Sequence, residues 1–351
     1  MPDYGTQPDR AIPADPGRGA PARRGRPLPR RRHWAAAAAV LSAAVTALLL
    51  TACSAAGSTE PVVPGPAIAG PATAPPAVAG GASSGSYVAL GDSYTAGPDI
   101  PDQTGGPPGC EQSTSSYPYL LAQRLRLNLT DMSCSSATIA SLSGPQPTGD
   151  GTNPAQLTAL SAATRLLTLG IGGNDIGFSS VITRCTELDL IPALIPGAAA
   201  SGAAPCQAYY SSGGTDQVQQ RIQAAAADLA GTLSQIRQRA PHARVWVVGY
   251  PDLLPPAGGA CAHVMSITQG DATFLDDEEL QFNSALRQDA AAAGDGYADT
   301  YTPSVGHDAC SPESSRWIEP LLPASPAAPM HPNAAGEQGM ADAIEHAIQA
   351  A

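Results

Sequence analysis

The chain contains no lysine, so arginine supplies all 18 of its basic residues, against 30 aspartates and glutamates. Eight of those arginines lie within residues 1–52, and the rest of the chain is therefore more acidic than the overall net charge of −12 indicates. A strongly acidic surface repels polyanions. The composition argues against nucleic acid, or an anionic membrane surface, as the main partner.

Two cofactor signatures are also missing. No two of the seven cysteines have the CxxC spacing that is typical of a zinc site. The glycine-rich segment that begins at Gly170 has Asp175 where the dinucleotide fingerprint G-x-G-x-x-G requires its last glycine. We therefore expect neither a metal nor an organic cofactor.

The first 52 residues have the order of a bacterial lipoprotein signal peptide. An arginine-rich stretch is followed by an uncharged apolar run over residues 34–50, which is short for a membrane span. The run ends in Leu50-Thr51-Ala52-Cys53, which resembles a lipobox, so we expect cleavage before Cys53 and acylation of its thiol. An uncleaved transmembrane anchor is the alternative.

Residues 53–85 are predicted to be the lipidated Cys53 and a disordered tether, because Ala, Pro, Gly and Ser dominate and few bulky apolar side chains are present. The chain is then expected to be exported, and either anchored at the outer face of the cytoplasmic membrane or secreted. Six cysteines remain, and an even number in an exported chain predicts disulfides. The residues alone leave fifteen sets of pairings open.

Residues 86–351 predict one α/β domain. Short apolar runs, mostly bounded by glycine, are predicted strands: Tyr87–Leu90, Arg165–Ile171 and Arg244–Gly249, with weaker candidates at Leu127–Met132 and Gly296–Thr300. Helical patterns lie between and after them, at Tyr117–Arg126, Asp216–Arg239, Asp276–Ala293 and Asn333–Ala350. This alternation indicates a parallel sheet covered on both faces. In such sheets ligands bind beyond the carboxyl ends of the strands.

Ser93 follows the first predicted strand within the segment GDSYTAG. A helix beginning there would direct unpaired N–H groups toward developing negative charge. The alternative is an ordinary helix cap. Because the motif is not G-x-S-x-G, the nucleophile elbow of α/β-hydrolases does not apply.

Two further residues lie at comparable positions. Asn174 follows the Arg165–Ile171 run, and a side-chain amide there can donate to an oxyanion, although an isolated asparagine is more often a turn residue. His331 precedes Pro332, which suits the first position of the last helix. The dipole of that helix disfavours protonation of the imidazole, so His331 is a candidate general base at neutral pH.

The segments GDSYTAG, GGND and HPN, in this order, resemble three sequence blocks of the SGNH (GDSL-type) hydrolases over roughly residues 86–350. The resemblance implies a three-layer α/β/α sandwich of flavodoxin-like architecture and metal-free esterase or lipase activity. It makes Ser93 the nucleophile, His331 the base and Asn174 an oxyanion donor. The backbone N–H groups of Ser93 and of Ser136, which stands where the family usually has glycine, would complete the oxyanion hole.

One departure concerns the support of the histidine. Family members commonly place an aspartate three residues before it, and here that position is Ala328. In lacking that aspartate the chain resembles exported actinobacterial-type members of the family, which use a Ser–His dyad whose histidine is held by a backbone carbonyl. We therefore expect the carbonyl of Ala328 to accept the Nδ1 proton of His331. Asp308 or Glu319, reaching in from another loop, is the competing candidate.

The same subgroup implies the three disulfides Cys110–Cys134, Cys185–Cys206 and Cys261–Cys310. It also includes a segment similar to that around His307 and Trp317. Those two residues are interpreted either as pocket lining or as part of a structural loop held by a disulfide.

The sequence thus predicts an exported, monomeric serine ester hydrolase that acts on a lipid or on an acylated small molecule or glycan. An acyltransferase or deacetylase acting on envelope glycans would use the same acyl-enzyme. A non-catalytic binding module on the same fold is the third hypothesis, motivated by Ala328 and Ser136.

Overall fold

The computed structural model describes residues 85–194, 202–256 and 261–351. The predicted signal peptide, the predicted acylation site Cys53 and nearly all of the predicted tether lie outside these ranges. Within them, no helix combines the length and the apolar character that crossing a membrane requires.

Seven strands are present in the described ranges: β1 Ser86–Gly91, β2 Asn128–Asp131, β3 Gln146–Thr148, β4 Gly151–Asn153, β5 Leu166–Gly170, β6 Arg244–Val248 and β7 Gly296–Ala298. Five of them form a parallel sheet in the order β2-β1-β5-β6-β7, and β3 and β4 form a separate antiparallel hairpin. Each of the five predicted strand segments contributes a strand to the parallel sheet.

The helices are α1 Ser93–Ala96, α2 Tyr117–Leu125, α3 Ile139–Ser143, α4 Gly173–Ile176, α5 Phe178–Leu194, α6 Pro205–Tyr210, α7 Gln217–Arg239, α8 Ala262–Met265, α9 Gln269–Ala293, α10 Tyr301–Ser304 and α11 Ala334–Ala350, with a 3-10 turn at Gln156–Ala159. Asp216 and Asn333 cap α7 and α11 through their side chains. Helix α9 begins well before the predicted Asp276, because the side chain of Thr268 caps it by accepting from the N–H of Asp271.

Helices cover both faces of the sheet. Along β1, Tyr87 and Ala89 belong to the apolar cluster that includes α2 and α11, whereas Val88 and Leu90 belong to the larger cluster that includes α7 and α9. Because successive side chains of a strand point to opposite faces, this alternation places helices on either side. The three-layer α/β/α prediction is confirmed.

The six cysteines of the domain form the disulfides Cys110–Cys134, Cys185–Cys206 and Cys261–Cys310. Each closes a loop of between 21 and 49 residues. In the chain-entropy model, closing such loops stabilises the fold by about 3–4 kcal/mol each. The disulfide Cys110–Cys134 joins the loop before α2 to the segment that leads into Ser135 and Ser136.

Candidate active site

Ser93 and His331 meet although 238 positions separate them in the chain. Ser93 is the first residue of α1, directly beyond the carboxyl end of β1, and His331 lies in the loop that leads into α11. The Nε2 atom of His331 is 2.6 Å from Oγ of Ser93. This distance allows direct proton transfer between the hydroxyl and the imidazole.

The backbone around Ser93 depends on a glycine and a cap. At Gly91 a Cβ atom would collide with the side chain of Thr95 and the carbonyl oxygen of Gly170, so only glycine lets β1 and β5 approach this closely. Asp92 caps α1, because its Oδ1 accepts from the N–H of Tyr94 at 3.0 Å. The nucleophile candidate is therefore held on a short, capped turn at the edge of the sheet.

A backbone carbonyl orients the imidazole. The carbonyl oxygen of Pro329 lies 2.7 Å from Nδ1 of His331. Since a carbonyl can only accept, Nδ1 carries the proton and Nε2 faces Ser93 with a free lone pair. Burial lowers the pKa of His331 below its ordinary value, which favours the neutral base.

Tyr94 supports the same loop. Its ring centroid lies 4.8 Å from that of His331, and its hydroxyl donates to the carbonyl of Met330. Met330 has a positive φ of 61°, an uncommon backbone conformation for a residue other than glycine. The turn at Met330 directs the Pro329 carbonyl toward the imidazole.

Three donors line the cavity beside Ser93. Asn174, in α4, uses one amide hydrogen to bond the carbonyl of Ala137 at 2.8 Å, which leaves its second hydrogen free. The N–H groups of Ser93 and Ser136 have no acceptor within the described residues. Ser136 has a left-handed backbone with φ of 64°, a conformation that glycine adopts without strain.

The cavity has a volume of about 270 Å³. One wall is apolar and is formed by buried side chains from α4, α5, α9 and neighbouring loops, namely Ile176, Phe178, Ile182, Leu253, Phe282 and Met330. Asp92, Ser93, Ser136, Asn174 and His331 lie on its polar side. The apolar wall suits an acyl chain, and the polar side suits the ester carbonyl that reacts.

Tyr250 connects two of these segments. Its hydroxyl donates to Oδ2 of Asp92 at 2.5 Å and accepts from the N–H of Gly173 at 2.8 Å. Asp92 belongs to the turn that carries Ser93, and Gly173 immediately precedes Asn174. Burial raises the pKa of Asp92 to about 7. Tyr250 therefore fixes the position of the nucleophile candidate relative to the amide donor.

Comparison with known proteins agrees with this arrangement. The family model described as GDSL-like lipase/acylhydrolase matches residues 89–338. Lipase 2 of Streptomyces coelicolor is 36% identical over 258 residues, which cover 73% of this chain and 83% of that protein. The chain belongs to the GDSL-like lipase/acylhydrolase family. It is therefore a carboxylic ester hydrolase of the lipase and esterase type.

Two solved structures resemble this member of the GDSL family along their whole length. Phospholipase A1 from Streptomyces albidoflavus has a TM-score of 0.60, with 76% of this chain and 100% of that chain covered. The extracellular lipase from Streptomyces rimosus has a TM-score of 0.59, with coverage of 75% and 100%. Both are 27% identical to this chain. The GDSL-type fold predicted from the sequence is thus shown.

The structure corrects one residue of the predicted GDSL site. We expected the carbonyl of Ala328 to accept from Nδ1 of His331, but that of Pro329 does so. The Ala328 carbonyl instead accepts from the backbone N–H of His331 at 3.2 Å. We chose position 328 because the family aspartate stands there. Sequence position alone does not show how the turn at Met330 orients the carbonyls that precede it.

The two carboxylates considered as alternatives bond elsewhere in this GDSL domain. Asp308 accepts from the N–H of Cys310 at 2.8 Å and from Ser311. Glu319 accepts from Nδ2 of Asn333 at 2.8 Å and from the N–H groups of Ala324 and Ser325. Neither makes a hydrogen bond to the imidazole of His331. Glu319 contacts the histidine loop through its backbone, since its N–H donates to the carbonyl of His331 at 3.0 Å and its carbonyl accepts from the N–H of Met330 at 2.9 Å.

His307 and Trp317 form a structural contact. Their rings stack with centroids 4.3 Å apart, and Nδ1 of His307 lies 2.5 Å from the carbonyl of Ser315. Trp317 packs against Gly339 of α11, where a Cβ would collide with its ring. Neither side chain lines the cavity. The interpretation as a disulfide-held loop is therefore favoured over the one as pocket lining.

The sequence reasoning missed Tyr94 and Tyr250. Tyr250 directly follows Gly249 at the end of a predicted strand, which is the same kind of position that identified Ser93 and Asn174. That placement is a signal that could have identified Tyr250. Tyr94 lies inside the GDSYTAG segment, but nothing in the sequence shows that its hydroxyl bonds the loop of His331.

Proposed function

We propose that this GDSL-family hydrolase uses Ser93 as its nucleophile and His331 as its general base and acid. The observation that carries the proposal is the 2.6 Å contact between Nε2 of His331 and Oγ of Ser93. Nε2 takes the hydroxyl proton while Oγ bonds to the ester carbonyl carbon. The imidazolium then returns that proton to the leaving alcohol. In the second half of the reaction Nε2 takes a proton from water while the water oxygen bonds to the acyl carbon. The proton then returns to Oγ of Ser93 as its bond to the acyl carbon breaks and the carboxylic acid leaves.

The negative charge of the tetrahedral intermediate is assigned to three donors. They are the backbone N–H groups of Ser93 and Ser136 and the free amide hydrogen of Asn174. The first two have no other acceptor in the described part of the chain, so they are available without breaking an existing bond.

The imidazolium that forms at His331 is stabilised by the Pro329 carbonyl. A neutral carbonyl stabilises positive charge less than a carboxylate does. Burial lowers the pKa of His331, which also favours the neutral imidazole before each proton transfer. The dyad therefore begins each cycle in the form that accepts a proton.

We further propose an acyl ester substrate and an exported location. The apolar wall of the cavity suits an acyl chain, and one structural neighbour is named a phospholipase A1. Three disulfides are typical of exported proteins, and the other neighbour is named an extracellular lipase. Acylation of Cys53 remains a prediction from the sequence.

Hydrolysis of p-nitrophenyl butyrate tests the dyad. The purified protein should cleave this ester, and Ser93→Ala and His331→Ala should each lower kcat by about 10⁴-fold or more. Ser314→Ala, at an exposed serine that does not line the cavity, is the matched control and should keep the activity. Full activity in a folded Ser93→Ala protein would refute the proposal.

A further inference from the structure

The loop between Glu319 and Met330 carries the carbonyl that orients His331. Its ten residues, 320–329, form no helix or strand and include four prolines and no charged side chain. The backbone bonds that join Glu319 to Met330 and His331 close its base. Since proline has no N–H, the loop has few backbone donors with which to fix its own conformation. That conformation therefore depends on partners outside the loop.

The carboxylate of Glu319 is such a partner. It is fully buried, and its Oε2 accepts from the N–H groups of Ala324 at 2.9 Å and Ser325 at 3.1 Å. Its Oε1 accepts from Nδ2 of Asn333 at 2.8 Å, and Asn333 caps α11 two residues after His331. One side chain thus bonds both the loop that precedes the histidine and the helix start that follows it.

This carboxylate is charged although it is buried. Burial alone would raise the pKa of Glu319, but its three hydrogen bonds and the charge of Arg316 together lower it below the ordinary value. Nη1 of Arg316 lies 3.7 Å from Oε2, and the arginine side chain is only 10% exposed. A charged acceptor makes stronger hydrogen bonds than a neutral one. The ionised glutamate therefore holds the loop more firmly than a neutral side chain of the same shape could.

We propose that Glu319 is a positioning residue for His331. Its carboxylate makes no bond to the imidazole and acts through the loop, which it holds so that the Pro329 carbonyl lies 2.7 Å from Nδ1 of His331. The proposal rests on the proposed Ser93–His331 dyad and adds a residue to it. A Ser–His–Asp triad places a carboxylate on the imidazole itself, whereas this chain places one on the loop that carries the orienting carbonyl.

Glu319→Gln tests this role with little change of shape. Every group bonded to the carboxylate is a donor, whereas an amide offers one acceptor oxygen and one NH2. Whichever way the amide turns, its NH2 faces a donor, so the loop loses at least one bond. We expect kcat for p-nitrophenyl butyrate to fall by about ten- to hundredfold with KM nearly unchanged, because a small displacement of a catalytic group impairs the transition state more than substrate binding.

The pKa of His331, followed by NMR of protein labelled with 15N-histidine, separates positioning from a general loss of stability. Burial lowers this pKa, and the bond to the Pro329 carbonyl partly offsets the lowering. If Glu319→Gln displaces that carbonyl, the pKa of His331 should fall below its wild-type value. The carboxylates of Glu111 and Asp99, whose charges also act on the imidazole, are the same in both proteins.

Glu337→Gln is the matched control. Glu337 is also a fully buried glutamate, but it accepts from the N–H of Tyr117 and does not line the cavity. Burial raises its pKa well above the ordinary value, so a neutral amide replaces a neutral carboxyl. This variant should keep both kcat and the pKa of His331. If Glu319→Gln does not fold, Glu319→Asp retains the charge on a shorter side chain and should lower kcat by about three- to tenfold.

Four results would overturn the positioning role. They are a folded Glu319→Gln protein with wild-type kcat and wild-type His331 pKa, a change confined to KM, an equal loss of kcat in Glu337→Gln, and a wild-type His331 pKa above 6.5. The last would show that a carboxylate acts on the imidazole directly. A wild-type protein that hydrolyses no ester would instead overturn the proposed function. The NMR titration needs no turnover, so it would still decide whether Glu319 positions His331.

Discussion

The hydroxyl of Tyr250 lies 2.5 Å from Oδ2 of Asp92, and this contact joins the turn of the serine to the segment of the asparagine. The hydroxyl oxygen of Tyr250 also accepts from the N–H of Gly173. Asp92 in turn caps α1 through Tyr94, whose hydroxyl bonds the Met330 carbonyl beside His331. One hydrogen-bonded chain thus runs behind the serine, asparagine and histidine.

Tyr250→Phe should lower kcat by about ten- to hundredfold and leave KM nearly unchanged, because it removes two hydrogen bonds that position groups acting in the transition state. The measurement is steady-state hydrolysis of a soluble p-nitrophenyl ester. Tyr210→Phe is the matched control, since Tyr210 is also a buried tyrosine but lies outside the cavity lining. An effect on KM alone would contradict the positioning role.

The acidic limb of the kcat/KM profile should have its midpoint below 6.5, the ordinary pKa of histidine. Burial lowers the pKa of His331, and only the neutral imidazole can accept the serine proton, so activity is lost as pH falls through this lowered value. The profile should be measured with an uncharged substrate. A midpoint above 6.5 would show that the imidazolium is stabilised in the free enzyme, as by a nearby carboxylate.

Asn174→Ala should lower kcat by about 10²- to 10³-fold, the usual cost of losing one oxyanion donor. Ser136→Gly should keep kcat within a few-fold, because glycine retains the backbone N–H and adopts the left-handed conformation of residue 136 without strain. Both are measured by hydrolysis of the same soluble ester. Loss of activity in Ser136→Gly, with Asn174→Ala unaffected, would contradict the assigned oxyanion hole.

Asp308→Asn should retain kcat within about threefold, since this carboxylate bonds Cys310 and Ser311 and does not contact the imidazole. Steady-state kinetics, with circular dichroism to verify the fold, would measure this. A large loss of kcat in the folded variant would mean that a carboxylate, and not the Pro329 carbonyl, stabilises the imidazolium.

Asp252→Asn should stabilise the fold more at pH 8 than at pH 5. Burial first, and then the charges of Asp308 and Asp276, raise the pKa of Asp252 to about 8. The folded state therefore binds this proton more tightly than the unfolded state, and the resulting stability is lost progressively as pH rises from the ordinary aspartate pKa of 3.8 to about 8. Thermal unfolding at both pH values measures the difference. Equal shifts in Tm at pH 5 and pH 8 would contradict it.

The sequence predicted those parts of the molecule that depend on local pattern. The five strand segments were visible as short apolar runs, and Asp216 and Asn333 lie at the helix starts where capping residues belong. Ser93 was identified because it directly follows a predicted strand. The structure brings it to His331, as the resemblance to the family had implied.

What the sequence could not provide depends on tertiary contacts or backbone torsion. The bonds of Tyr250 cross from β6 to the ends of β1 and β5, and no local pattern encodes them. The choice between the Ala328 and Pro329 carbonyls depends on the positive φ of Met330. Helix α5 was missed because its polar and apolar residues are mixed and Pro192 lies inside it.

The most direct test of the Ser93–His331 dyad is covalent labelling with a fluorophosphonate, followed by peptide mass spectrometry. We expect one adduct, on the peptide that contains Ser93, with labelling slowed by about 10³-fold or more in His331→Ala because the hydroxyl then lacks its base. An adduct on another residue, or none on the folded wild-type protein, would contradict the dyad and favour a non-catalytic binding module.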